Sequence, residues 1–272
     1  MAKKIHTSKQ KKQRIVTTTS PVDKYLDLIR RQIVQRHYTE AVAECERLLR
    51  YLSPYAQQRA DVLALLGTAQ SMLQNFPQSF EAFTQALALE PKNADFWYNR
   101  SMASRFTVRF GQALRDIERA IELNTNSELV EKLDKALQIT LQLVEESLKM
   151  RGPDFTLEQL IQQENFFQQG LKCIEAGKYE EAGQAFQASI ALGDCLPQPW
   201  GNLGICLMVQ ERYDEAEVAL KRALEIDPGY TMAKKHLAEL NTSRRIGPPA
   251  QVEVNEPFKN SKLRQSITFL KE

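Results

Sequence analysis

The residues whose types and spacing could do chemistry are few and scattered. The nearest approach to a phosphate loop is Gly170 to Gly177-Lys178. Its spacing is too long, and Tyr179 stands where a Ser or Thr would reach magnesium. Three histidines, His6, His37 and His236, lie far apart along the chain. No H-E-x-x-H, G-x-S-x-G or G-x-G-x-x-G run occurs, so the usual signatures of a zinc hydrolase, a serine nucleophile and a dinucleotide site are missing. Cys45, Cys173, Cys195 and Cys206 lack the paired spacing of a structural zinc site. They read as thiols of a reducing compartment, packing as small hydrophobes. The sequence therefore predicts no enzyme, no metal and no cofactor.

One charge cluster offers binding chemistry. Of 36 Lys and Arg against 34 Asp and Glu, Lys3, Lys4, Lys9, Lys11, Lys12 and Arg14 fall in residues 1–21 with no acid among them, so the rest of the chain is net acidic. Such an arm supplies salt-dependent, sequence-independent attraction to phosphates, and nucleic acid, ribosome or an acidic lipid surface would be its partner. The competing reading is a solvated tail. Its low apolar content keeps it from folding alone. No run approaches the ~20 apolar residues of a membrane span, and the basic start has no apolar stretch like that of a secretory signal. A soluble, cytoplasmic protein is expected.

The elements that would position a binding surface emerge from a fixed period of 34. Shifting Leu63, Phe76, Ala86 and Leu89 by that period gives Trp97, Phe110, Ala120 and Leu123; shifting Phe166, Gly170, Tyr179 and Ala182 gives Trp200, Gly204, Tyr213 and Ala216. Residues 197 to 230 carry the fullest pattern, with Trp200, Leu203, Gly204, Leu207, Tyr213, Ala216, Leu220, Ala223 and Pro228. A period of this length marks stacked repeats, each burying its apolar face only against neighbours.

The pattern resembles the tetratricopeptide repeat. The resemblance implies an all-α, right-handed superhelical solenoid of antiparallel helix pairs. Units are expected at about 22–55 (degenerate, with Tyr25, Leu28, Tyr38 and Ala41), 60–93, 94–127, 163–196 and 197–230. Two departures stand out: Ser79 replaces the first Ala of the 60–93 unit, and Arg100-Ser101 replace Leu-Gly in the 94–127 unit. Small residues such as Gly67, Gly204, Ala86 and Ala120 fall where helix backbones approach closely.

The expected organisation is a basic arm at 1–21 and a first array at 22–127, with a small insertion near Gln57 and Gln58. A long connecting helix at 128–151 follows, then a second array at 154–243 ending in a cap helix at 231–243, and a tail at 244–272. The connecting helix has an apolar stripe, Leu129, Leu133, Leu137, Leu141, Val144 and Leu148, with Thr125 and Glu128 spaced as a capping box and Gly152-Pro153 as a stop.

In the family the first helix of each unit lines the concave face, which implies two different surfaces. The first array would present Arg30, Asp61, Thr68, Asp95, Tyr98, Met102 and Arg105, polar and of mixed charge. The second would present Phe167, Leu171, Ile174, Ile205, Met208 and Met232, an apolar set suited to an amphipathic helix or extended apolar segment, or else covered by the chain's own helices or by the apolar tail end, Ile267 to Leu270. Asn99 and Asn202 occupy the middle place of a carboxylate clamp known in the family. Their neighbours Ala64, Thr68, Phe167 and Leu171 do not fit that clamp. The function expected is a scaffold that holds a partner protein or peptide; the alternative is a nucleic-acid- or ribosome-associated factor using the basic arm.

Overall fold

A computed structural model describes residues 21–53 and 58–248. Among the described residues there are twelve α-helices, one 3-10 turn and no strand. The first three pairs are α1 (Pro21–Val34) with α2 (Tyr38–Tyr51), α3 (Arg59–Met72) with α4 (Phe76–Leu89), and α5 (Ala94–Phe106) with α6 (Phe110–Leu123). The long α7 (Val130–Arg151) intervenes. Two more pairs follow, α8 (Leu157–Glu175) with α9 (Tyr179–Leu192) and α10 (Pro197–Val209) with α11 (Tyr213–Ile226), before α12 (Thr231–Ile246).

Each pair is joined by the same corner, because the same backbone problem recurs. The last turn of a first helix leaves carbonyls without intrahelical donors, and a residue in the left-handed region turns its own N–H and the next one back onto them. Arg36, Gln74, Val108, Gly177 and Glu211 occupy that position, at φ of 65°, 65°, 59°, 72° and 61°. The following amides, His37, Asn75, Arg109, Lys178 and Arg212, donate to Gln32, Gln70, Ser104, Cys173 and Leu207 carbonyls at 2.8 to 2.9 Å. Only one corner uses glycine, so the other four accept the cost of a side chain at positive φ.

Within pairs, one small residue faces one large one. A Cβ on Gly67, Gly170 or Gly204 would stand 2.7 Å from Phe83, 2.5 Å from Phe186 or 2.7 Å from Leu220, so backbone contact there requires glycine. Phe83, Phe186 and Leu220 are themselves fully buried, each stabilising the pair by about 1.5–3 kcal/mol. The third pair has the small Ser101 at the glycine position and departs at the residue before it. Arg100 forms a two-pronged ion pair with the fully buried Asp116, at 2.8 Å from Nε and 2.7 Å from Nη2. It also lies over the Trp97 and Phe80 rings. Gln112 donates to the same carboxylate at 2.7 Å. Burial pushes the Asp116 carboxyl above its ordinary range, and Arg100 opposes that shift.

At its start, α7 differs from the sequence expectation. The capping box of Thr125 and Glu128 is replaced by an asparagine turn: Asn126 Oδ1 accepts from the Glu128 amide at 2.9 Å and Asn124 Oδ1 from the Asn126 amide at 3.0 Å. A short 3-10 turn, Ser127–Leu129, then leads into the helix. With 22 residues, α7 is ~33 Å long at 1.5 Å per residue. Its stripe, Leu133, Ala136, Leu143 and Val144, shares one core with Phe110, Leu114 and Ile117 of α6 and Leu160 of α8. Downstream, α8 opens on a capping box of Thr156 and Gln159. The last helix runs to Ile246 instead of stopping at residue 243, and Arg244 in its final turn pairs with Asp214 at 2.7 Å and Glu217 at 3.0 Å on α11.

Candidate functional site

The first helices of the first array leave polar side chains within reach of a partner. Arg30 is exposed, and Asp61, Thr68, Tyr98 and Asn99 are half-buried. Lys132 of α7 places its ammonium 4.3 Å from the centre of the Tyr98 ring, so α7 borders this face. Arg105 departs from the expectation. It is 6% exposed, donates to the Met102 thioether, and burial pulls its pKa down, so it belongs to the interior rather than to the face.

The second array's face is closed. Phe167, Ile174, Ile205, Met208 and Asn202 are buried, while Leu171 and Met232 are half-buried against the same core. The apolar residues read from the sequence are therefore mostly the second array's own core, shared with α9, α10 and α11, while the first array meets a neighbouring face of α8. The tip of the α5–α6 corner, Thr107-Val108-Arg109, sits against one face of α8. Gln168 Nε2 donates to the Thr107 carbonyl at 2.7 Å. The Glu164 carboxylate accepts from the amides of Phe110 at 2.8 Å and Gly111 at 3.1 Å, the first two residues of α6. Ile161, one turn earlier, packs so tightly on Gly111 that a Cβ there would stand 2.5 Å from its Cγ1. Ile161, Glu164, Gln168 and Leu171 follow the three-and-four spacing of a single helix face.

Local physics explains why this contact forms. The residue before α6, Arg109, makes no side-chain cap, so the first amides of the helix need acceptors from elsewhere. Glu164 is that acceptor, and only its ionised form would also suit the positive end of the helix. Burial dominates its titration and pushes its pKa up to about 8, against the opposing pull of Arg151, the two amides and Arg109. Burial likewise draws Arg109 down to about 10, although Glu164 and Glu81 favour its charge.

A second polar link lies beside the first. Gln163 donates to the Ser189 and Gly193 carbonyls at 3.0 and 2.8 Å and accepts from Arg151 Nε at 2.6 Å. The end of α7, the start of α8 and the end of α9 are thereby joined. A cavity of about 30 Å³ remains between the corner and the second array, lined in part by Val108, Phe110, Arg151, Phe167 and Pro199.

Glu164, Gln168, Gln163 and Val108 were not singled out in the sequence. The available signal was a polar pair and a carboxylate set among the aromatics and leucines of α8. Asn202 is fully buried with no hydrogen-bond partner for its amide oxygen or nitrogen. The six cations Lys3, Lys4, Lys9, Lys11, Lys12 and Arg14, like the apolar end at Ile267 to Leu270, lie outside the described residues. Among the described residues no group of His, Cys, Asp or Glu could hold a metal ion, and no helix is long and apolar enough to cross a membrane.

One helix pair matches a known repeat. Residues 197–230 match the tetratricopeptide repeat family. A peroxisomal targeting signal receptor of Yarrowia lipolytica is 33% identical over 73 residues, which is 26% of this chain and 12% of the receptor. The match thus spans a small part of that relative. Among solved structures, the P58(IPK) tetratricopeptide domain aligns with 83% of this chain and 66% of its own, at 12% identity and a TM-score of 0.45. A complex of the TPR2AB domain of yeast Sti1 with pHSP90 aligns over 81% and 83%, at 13% identity and a TM-score of 0.39. Residues 197–230 thus carry a tetratricopeptide repeat, and the described residues around it are all-α helix pairs that turn through one shared corner.

Proposed function

We propose that this protein is a non-catalytic scaffold that holds a partner protein or peptide on the inner face of its first array. The observation that carries the reading is the contrast between the two faces. The polar first face, with Arg30, Tyr98 and Asn99, is reachable, whereas the apolar face of the second array is closed on the chain itself. Mixed charges and a half-buried tyrosine are the contacts of a selective interface: charge sets orientation, and an aromatic supplies buried area at low conformational cost. The thiols fit a cytoplasmic setting. Cys45 and Cys206 are buried, with pKa values pushed up to about 12, so they pack as apolar groups and are poor nucleophiles.

The test is affinity capture by the full chain and by a Tyr98→Ala, Asn99→Ala variant, with circular dichroism confirming equal helicity. The expected result is a protein held by the parent chain and lost by the variant. Equal capture by both would place binding elsewhere.

A further inference from the structure

The residue that follows the left-handed one differs from corner to corner: His37, Asn75, Arg109, Lys178 and Arg212. Of the three Lys and Arg side chains, two find an acid in the first turn of their own second helix. Lys178 pairs with Glu181 at 3.1 Å and Arg212 with Glu215 at 2.6 Å. Arg109 has no such neighbour. The residue at the same spacing is Gln112, which donates to Asp116 instead. The Arg109 guanidinium makes one hydrogen bond, from Nη1 to Thr107 Oγ1 at 2.8 Å, and lies over the Phe80 ring with its central carbon 4.2 Å from the centroid. Glu164, the buried acid beside it, is taken up by the Phe110 and Gly111 amides. Most of a five-donor fork therefore has no acceptor among the described residues.

This fork borders a cleft. Arg109, half-buried, lines a cavity of about 260 Å³ together with the half-buried Phe80 of α4 and Leu171 of α8. The lining comes from the first turn of α4, the α5–α6 corner and the last turns of α8, and neither Tyr98 nor Asn99 borders it. Burial pulls the Arg109 pKa down, the cost of holding a cation away from water with no carboxylate against it. The other charged groups around the cleft, Glu81, Lys172 and Glu175, are exposed. With Arg109 they sum to zero, so the cleft has no general pull on polyanions, and selectivity comes from the planar fork, which matches one carboxylate.

We infer that this cleft docks an acidic side chain, Asp or Glu, of a partner peptide, with an adjacent apolar side chain lying against Phe80 and Leu171. The partner's carboxylate takes at Arg109 the place that Glu181 and Glu215 fill at Lys178 and Arg212. The inference adds a second site at the corner edge and rests on the scaffold reading only in taking a peptide as the partner.

The experiment immobilises the full chain and offers two pools of acetylated, amidated nonapeptides with random flanks, one fixed on Glu at its centre and one on Gln. The parent chain is expected to retain the Glu pool about tenfold or more over the Gln pool, the ratio that one charge-assisted pair supplies, with Leu, Ile, Met or Phe enriched beside the Glu. Arg109→Gln is expected to abolish the preference at an unchanged melting temperature. Photo-crosslinking gives a second reading on the unaltered chain: a photoreactive phenylalanine analogue beside the Glu should label residues 77–81 or 168–175. Equal retention of the two pools, a preference that survives Arg109→Gln, or labels confined to other helices overturns the inference. Gln-centred peptides with a free C-terminus that match the Glu pool overturn the side-chain assignment in favour of a terminal carboxylate. Tyr98→Ala with Asn99→Ala is expected to keep the Glu preference, so the two readings fail separately.

Discussion

The Glu164 carboxylate lies 2.8 Å from the Phe110 amide, 54 residues away in sequence, and so caps a helix that has no cap of its own. This contact joins the two arrays directly, beside the connection through α7. Removing it leaves two helix-start amides without their acceptor in a dry setting. Glu164→Ala is expected to cost about 1–3 kcal/mol in urea unfolding, while Glu164→Gln, which keeps an acceptor oxygen, retains most of the stability. Equal losses in both variants would mean that packing, not hydrogen bonding, is what Glu164 supplies.

The same carboxyl gives stability a pH dependence of defined sign. Its folded pKa is raised to about 8 from a reference of 4.5, so in the window between those values the folded state holds a proton that the unfolded state releases. Stability from this group is full below about 4.5 and declines as pH rises to about 8. Above that it is constant. Urea midpoints measured from pH 5 to 8.5 should fall for the parent chain and fall less for Glu164→Gln. A midpoint that rises across this window in the parent, relative to the variant, contradicts the assignment.

How much of this was legible beforehand depends on where the information sat. The helix pairs were readable because Gly67, Gly170, Gly204 and their large partners recur at a fixed spacing, and each pair is a local solution. The long α7 was readable from its stripe, but its start was not, since three closely spaced polar residues, Thr125, Asn124 and Asn126, could each cap and only backbone geometry selects the asparagines. The closure of the second array stood in the sequence only as one of two alternatives, for a stronger reason. Glu164 meets Phe110 through a contact that no periodicity encodes, and an apolar face looks the same in sequence whether a partner or the chain's own helices cover it. Arg100 shows the reverse case: a departure from the repeat pattern was visible, yet its partner Asp116 was not.

That ion pair gives a test of what the departure contributes. Asp116→Ala leaves the Arg100 guanidinium largely buried without its carboxylate and is expected to cost about 3–5 kcal/mol. Replacing both members, with Arg100→Leu and Asp116→Leu, removes both desolvation penalties together and is expected to lie within about 2 kcal/mol of the parent. Thermal or urea unfolding of the three chains decides it, and a double variant as damaged as Asp116→Ala would show that the pair itself is stabilising.

Gly204 tests the repeat geometry. A methyl there would stand 2.7 Å from Leu220 and 3.4 Å from the Ala216 carbonyl, so α10 and α11 must separate to admit it. Gly204→Ala is expected to destabilise by about 1–3 kcal/mol despite the better helix propensity of alanine. Gly183, whose nearest neighbours lie at 3.7 Å or beyond, is the control. Gly183→Ala should be neutral or stabilising by up to about 1 kcal/mol, and equal effects at both positions would contradict the packing argument.

Asn202 tests what an unpaired buried amide contributes. Its amide is fully buried with neither oxygen nor nitrogen paired, and an unpaired buried polar group costs about 1–3 kcal/mol. Leucine is of similar size and makes no such demand, so Asn202→Leu is expected to raise the unfolding free energy by about 1 kcal/mol. If the amide is kept because a bound segment completes its hydrogen bonds, the stabilised variant should also lose affinity for that segment by tenfold or more. Calorimetric unfolding and peptide binding on the same preparation separate the outcomes. Higher stability with unchanged binding would leave Asn202 without a role in recognition, and lower stability would mean that the amide is already satisfied by ordered water.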